Sequence, residues 1–422
     1  MFASNKIKYS QLEIELCDER QKKSKPDSRS LVFGQNFTDH MLEVKWFANK
    51  GWQKPKISPI HNFNFHPAAK VLHYALELFE GMKAYRGFDN KIRLFRPDLN
   101  MQRMLSSAKR LGFPLFESNE FLECIKKLIE VEADWVPDST EFASLYIRPT
   151  LIGVEGALGV SNSKECLLYV ILSPVGSYFS TGAKPVKLYA DPKYIRAWPG
   201  GSGNHKLGSN YAPTILAQKV AEAKDCQQVL WLYGEDHQLT EVGTMNIFVY
   251  MINEAGEKEL ITPPLSDGII LPGVTRISLL ELARQWNEFK VSERRITMKE
   301  IIKALNEKRL LEIFGSGTAC VVCPVGSIHY LNKDLVIPTM DHKEPLNSRF
   351  LKSLIDIQYG KISHPWAVPV EIETENEKKE RVPNRQIPYG KRAGLAHDKK
   401  LGKVVTVFMP FRFLSSSLHI LM

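Results

Sequence analysis

Apolar and polar positions follow two different periods along this chain. Short runs at Lys91–Phe95, Ala143–Ile147 and Cys166–Leu172 read as strands, whereas Asn100–Leu111 and Glu120–Val131 carry apolar residues three and four apart and read as amphipathic helices. Their interleaving predicts an α/β (α+β) fold. The segment Ser173–Lys184 combines Pro, two Gly and small polar residues between strand-like runs, and predicts a linker. Beyond it, strands are expected at Gln228–Tyr233, Asn246–Tyr250 and Glu259–Ile261, and helices at Tyr211–Ala223, Arg276–Trp286, Met298–Lys308 and Asn347–Ile357. The implied organisation is a polar N-terminal arm (1–30) without a firm place in the fold, a small domain (31–173), a linker (174–185), a larger domain (186–370) and a charged tail (371–422). Residues 371–403 have the composition of a solvated segment, and the apolar end Val404–Met422 has no place in the pattern.

The length of 422 residues suits two or three domains, and 44% apolar content is enough for a sizeable core. Of the net charge of +9, the tail holds ten Lys/Arg against six Asp/Glu. No basic stripe with interleaved aromatics runs through the body, so nucleic acid is not an expected partner. The longest apolar runs fall far short of the ~18 residues that span a bilayer, so no membrane association is expected. An N-terminus holding Glu13, Glu15, Asp18 and Glu19, without an apolar leader, favours the cytoplasm over mitochondrial import. Six scattered cysteines suit a reducing compartment, and the single Cys320-Val-Val-Cys323 pair lacks the second pair a structural zinc site needs, so no metal is expected.

Candidate chemistry concentrates in four stretches. In Pro199–Pro213, Lys206 lies among glycines and small residues. The phosphate-loop pattern fails because His205 precedes Lys206 and Leu207 follows it, and the dinucleotide fingerprint fails because Lys206 takes the third glycine position. An ordinary lysine in a flexible surface loop fits the same letters. Glu241 sits in Leu-Thr-Glu-Val-Gly-Thr-Met-Asn-Ile-Phe, where a buried carboxylate needs a cation: either a pyridinium nitrogen or an Arg or Lys of the fold. Leu-Pro-Gly-Val-Thr-Arg (271–276) opens a helical run, so the N–H groups of Val274 and Thr275 would face an anion, although plain helix capping explains it equally. The turn Gly315–Ala319 offers further donors at Thr318 and Ala319.

Together with Phe-Glu-Gly-Met-Lys-Ala, Ser-Leu-Tyr-Ile-Arg-Pro-Thr and Phe-Gly-Ser-Gly-Thr-Ala-Cys-Val-Val-Cys-Pro, these motifs resemble the eukaryotic branched-chain amino acid aminotransferases from about Leu31 to Trp366. The resemblance implies a two-domain fold type IV pyridoxal 5'-phosphate enzyme, a homodimer acting on branched-chain L-amino acids and 2-oxoglutarate. It implies Lys206 as the Schiff-base lysine, Glu241 as partner of the pyridine nitrogen, Tyr211 as donor to the ring oxygen, and Arg103, Val274, Thr275 and Thr318 as the phosphate anchor. For substrate, it implies Tyr146 and the Thr318/Ala319 turn for the α-carboxylate and Arg148 for the distal carboxylate of glutamate. Phe33, Phe79 and Tyr178 would form the apolar pocket, closed by Tyr74, Leu158 and Val160 of the neighbouring subunit, with Cys320/Cys323 a redox pair. Another activity on the same fold, on D-amino acids or an aromatic precursor, is the alternative. The tail after Trp366 departs from the family.

Overall fold

The structure is a computed structural model and describes residues 6–138, 143–176 and 184–372. Its strands form two sheets. The first runs, in order, Glu13–Ile14, Lys56–Pro59, His40–Phe47, Glu165–Val175, Ser144–Gly153, Met82–Arg86, Ile92–Phe95 and Ala367–Val370, and is antiparallel except at its first pair. Its central strand Ser144–Gly153 is buried on both faces because helices cover the side away from the cavity described below. Helix Ser118–Val131 turns Phe121, Cys124, Ile125 and Leu128 into this core, the spacing expected of one helical face. Helix Pro97–Arg110 starts with Pro97, whose missing N–H is harmless there, and buries Met101 and Met104.

The second sheet mixes parallel and antiparallel pairs in the order Gln238–Val242, Gln228–Tyr233, Val186–Ala190, Val321–Tyr330, Leu310–Gly317, Met245–Ile252, Lys258–Thr262 and Lys290–Glu293. Gln238–Val242 also pairs with Met245–Ile252, so the strands from the first to the sixth position close into a ring. Helix Met298–Asn306 packs Ile301 against it and is capped by Thr297, whose Oγ1 accepts the Glu300 N–H at 3.2 Å.

Several expectations are corrected. The arm is anchored: Ile7 is fully buried, Glu13–Ile14 pairs with Lys56–Pro59, and Cys17 N donates to His40 Nε2 at 2.9 Å. The helix expected from Tyr211 starts only at Thr214, because a 3-10 turn at Gly208–Asn210 precedes it and leaves Tyr211 free to turn elsewhere. Gly315 to Gly317 ends a strand rather than forming the turn, which is Thr318 to Cys320. Ala367–Val370, placed by sequence in the larger domain, pairs with Ile92–Phe95 of the first sheet. Strand Glu165–Val175 extends into the expected linker, of which 177–183 lie outside the described residues, as does the tail from 373.

Candidate active site

A cavity of about 480 Å³ is lined by Phe33, Phe79, Tyr146 and Arg148 from the first sheet and its approaches, and by Lys206, Tyr211, Glu241, Val274, Thr275, Thr318 and Ala319 from the second half of the chain. The Lys206 loop is pinned, which excludes the flexible-loop alternative. Lys206 N donates to Ser107 Oγ at 3.0 Å, Lys206 O accepts Phe79 N at 3.2 Å, and Leu207 bridges Leu78. Asn210 staples the loop from within through the Ser202 and His205 carbonyls at 2.8 and 2.9 Å. The Lys206 ammonium is then held 3.0 Å from the Tyr211 hydroxyl and over the Phe79 ring, 4.7 Å from its centroid.

Glu241, 3% exposed, lies on a ring strand opposite Trp231 and Asn246, on the face that lines the cavity rather than the apolar interior to which Leu230 and Val242 belong. Its Oε1 accepts Leu271 N at 2.8 Å and Asn246 Nδ2 at 3.3 Å, and its Oε2 lies 3.0 Å from Arg196 Nε. Of the two cations the sequence allows, the fold supplies an arginine, and the carboxylate also lines the cavity. Burial pushes the Glu241 carboxyl above the ordinary carboxylate range, and Arg196 only partly opposes this. The Arg196 Nε has no well-aligned hydrogen bond, while its Nη2 is committed to the Gly203 and Ile269 carbonyls. A carboxylate in this state has use for a second cation in the cavity.

A further part of the cavity wall is built from Arg103 and the start of helix Val274–Trp286. Arg103 is clamped by Glu80 through Nε at 2.7 Å and Nη2 at 2.8 Å, and its Nη1 donates to the Pro272 carbonyl at 3.2 Å. Burial opposes both charges, yet each partner overrides it, holding the Glu80 carboxyl below and the Arg103 guanidinium above their ordinary values. Gly273 is required by close approach, since a Cβ would come within 2.0 Å of Asn246 Oδ1. Ser316 Oγ, also on the cavity wall, is buried without a partner.

On the opposite wall, Arg148 donates to the Tyr146 hydroxyl at 3.0 Å and lies over the Phe79 ring at 4.6 Å, leaving a buried Nε without a partner. Phe33 meets Tyr146 edge-on at 4.9 Å. Gly81 makes room for that tyrosine: a Cβ would fall 2.1 Å from its hydroxyl. Tyr74, Leu158 and Val160 do not line this cavity and are 41%, 60% and 84% exposed; Tyr178 lies outside the described residues. Cys320 and Cys323 are free thiols pushed up by burial, Cys320 to about 12, with the Cys320 Sγ 2.9 Å from Met245 Sδ.

Sequence reasoning assigned no role to Arg196, Asn246, Glu80 or Ser316. Glu80 lies within Phe-Glu-Gly-Met-Lys-Ala, and a glutamate between Phe79 and Gly81 is its available signal. Among the described residues, no group of three His, Cys, Asp or Glu could hold a metal ion, and no helix is long and apolar enough to cross a membrane.

The profile of amino-transferase class IV matches residues 77–328. The chain is 61% identical over 347 residues to the cytosolic branched-chain-amino-acid aminotransferase of Mus musculus, covering 82% of this chain and 89% of that protein. It is 58% identical over 370 residues to the mitochondrial branched-chain-amino-acid aminotransferase of Bos taurus, covering 87% and 93%. The fold matches a solved branched-chain aminotransferase of the archaeon Thermoproteus uzoniensis with a TM-score of 0.62 at 22% identity, covering 78% of this chain and 99% of that one. With a mixed α/β fold of type IV, a class IV profile over most of its body and relatives this similar along most of its length, the chain belongs to the branched-chain-amino-acid aminotransferases.

Proposed function

We propose that this enzyme reversibly transfers the amino group of L-leucine, L-isoleucine or L-valine to 2-oxoglutarate in a ping-pong cycle. The observation that carries the reading is the convergence of Lys206, Tyr211, Glu241 and the Val274–Thr275 helix start on one cavity whose other wall is Phe33, Phe79, Tyr146 and Arg148. Pyridoxal 5'-phosphate is the cofactor of the family, and the donor set fits it: an amine, a cation-seeking carboxylate and an anion cup. When bound, it supplies an electron sink for charge developing at the substrate α-carbon.

In this reading Lys206 holds the cofactor covalently and, once released, moves the proton at the α-carbon. Tyr211 orients the amine and donates to the ring oxygen. Glu241 holds a proton on the pyridine nitrogen, with Asn246 and Leu271 N keeping the carboxylate in place. Arg103, the Val274 and Thr275 N–H groups and the Thr275 and Thr318 hydroxyls hold the phosphate. Tyr146 and the Thr318/Ala319 turn receive the α-carboxylate, and the unpartnered Arg148 Nε supports a role with the distal carboxylate of glutamate. Phe33 and Phe79 flank the apolar side chain. A homodimer is supported by the exposure of Tyr74, Leu158 and Val160, which in a second copy would close the pocket. The Cys320/Cys323 pair, beside the carboxylate turn, is read as a redox brace of that turn that oxidises slowly, since burial keeps both thiols protonated at neutral pH. The carboxylates Glu13, Glu15, Asp18 and Glu19 among the basic residues of the N-terminal arm support a cytosolic enzyme; the relatives include both cytosolic and mitochondrial forms.

The test is the visible absorbance of the cofactor-loaded protein before and after L-leucine, with D-alanine as the control donor and Lys206→Ala as the variant. The reading expects leucine, not D-alanine, to convert the spectrum to that of the pyridoxamine form, and expects no turnover in the variant. Turnover by Lys206→Ala at the wild-type rate would overturn it.

A further inference from the structure

Lys70 lies outside the cavity, yet it is 1% exposed. Its Nζ gathers four acceptors: Glu155 Oε2 at 2.8 Å, Ser161 Oγ at 2.8 Å, the Ser161 carbonyl at 3.2 Å and the Asn162 carbonyl at 2.9 Å. These come from the two ends of the loop 155–162, so one ammonium draws both ends together. The backbone adds to the clasp: Ala69 bridges Gly156, and Lys70 N donates to Glu155 O at 3.2 Å. Glu155 Oε2 also accepts Lys164 N at 3.0 Å, and the Tyr74 hydroxyl, at the end of the same short helix, donates to the Leu158 carbonyl.

Between these ties stand Leu158 and Val160, 60% and 84% exposed. Apolar side chains facing water give a loop no packing of its own, so its shape is set by the polar ties at its two ends and at the Leu158 carbonyl. A buried ammonium is a costly way to fill space, since an apolar residue of the same length needs no desolvation. What the ammonium offers instead is three donors that can reach the Glu155 carboxylate at one end of the loop and the Ser161 and Asn162 oxygens at the other.

We propose that Lys70 is a positioning residue for substrate selection: by clasping the two ends of loop 155–162 it makes Leu158 and Val160 present one fixed shape to the side-chain pocket of a second copy of this chain. The proposal rests on the reading that these residues close that pocket, and the experiment separates the two.

The experiment uses hybrid dimers of the full chain, loaded with cofactor, in which one subunit carries Lys206→Ala and only the other turns over. With Lys70→Met on the Lys206→Ala subunit, KM for L-leucine rises about tenfold, the scale of a lost apolar contact, while kcat changes less than about twofold. With Lys70→Met on the subunit that keeps Lys206, KM stays at the wild-type value. A rise confined to the latter arrangement, or no rise in either, overturns the proposal. Leu158→Ala in the same arrangements distinguishes the failures: if it raises KM from the inactive subunit while Lys70→Met does not, the pocket reading stands and Lys70 only supports the fold. If neither acts, or if no hybrid assembles, the pocket reading falls and the proposal with it. Should Lys70→Met fail to fold, Lys70→Met with Glu155→Leu leaves no unpaired charge and replaces it in each arrangement.

Discussion

Glu80→Gln removes the charge from a carboxylate that accepts four hydrogen bonds: from Arg103 Nε and Nη2, Asn100 Nδ2 and Gly81 N. Three of these reach Oε2, so the amide oxygen is expected to take that position and turn its NH₂ toward Arg103 Nε, donor against donor. The guanidinium, itself buried, keeps a carbonyl at 3.2 Å but loses its counter-charge. Breaking a buried pair from one side costs about 3–5 kcal/mol, and the retained oxygen places this case near about 3 kcal/mol. Urea unfolding of the cofactor-free protein, at equal protomer concentration, reads the difference. The pH dependence supplies a second signature. The folded Glu80 carboxyl lies below its ordinary value, so its contribution is present above the unfolded pKa and is lost as pH falls through the folded one. The gap between wild type and variant is therefore full at neutral pH and closes in acid. A gap below about 1 kcal/mol at pH 7, or one that widens in acid, would refute the reasoning.

Glu241→Gln is expected to bind the cofactor but to lose about a hundredfold or more in kcat, because the amide does not hold a proton on the ring nitrogen; an unchanged kcat in steady-state assays would count against that role. Lys83 is buried, its Nζ donating to the Ala319 carbonyl at 2.8 Å, and burial lowers its pKa to about 8. Between about pH 8 and the unfolded value the unfolded chain binds more protons, so stability rises with pH there, and Lys83→Met should flatten that rise, as urea midpoints at pH 7 and 9.5 would show. With its thiol pushed up to about 12, Cys320 should react slowly with a thiol-specific disulfide reagent at pH 7 in the folded protein and rapidly after unfolding; stoichiometric labelling within the mixing time would contradict this.

What was legible in the sequence was local. Lys206, Glu241 and the Val274–Thr275 helix start each stand out within a dozen residues, because room, burial and helix-start chemistry are properties of neighbours. Glu80 and Arg196 were missed because their partners, Arg103 and Glu241, lie 23 and 45 positions away along the chain and only the tertiary fold brings them together. The same limit hid the arm, whose Ile7 is buried by contacts that its polar neighbours do not signal, and the return of Ala367–Val370 to the first sheet. Helix interiors were read well, and their starts less so. Tyr211 looked helical because nothing in its own segment announces that the chain first makes a 3-10 turn.

That returning strand gives the molecule a mechanical property. The chain passes from the first sheet to the second between Val175 and Val186, and passes back between Gln358 and Ala367, where Ala367–Val370 pairs with Ile92–Phe95. Two halves joined by one covalent link part when it is cut; two halves joined at two points along the chain keep the second. Cutting the first crossing would therefore leave the halves tethered and the cavity walls in register, and a nicked enzyme of this architecture should keep its site where an equivalent single-strap protein would fall apart.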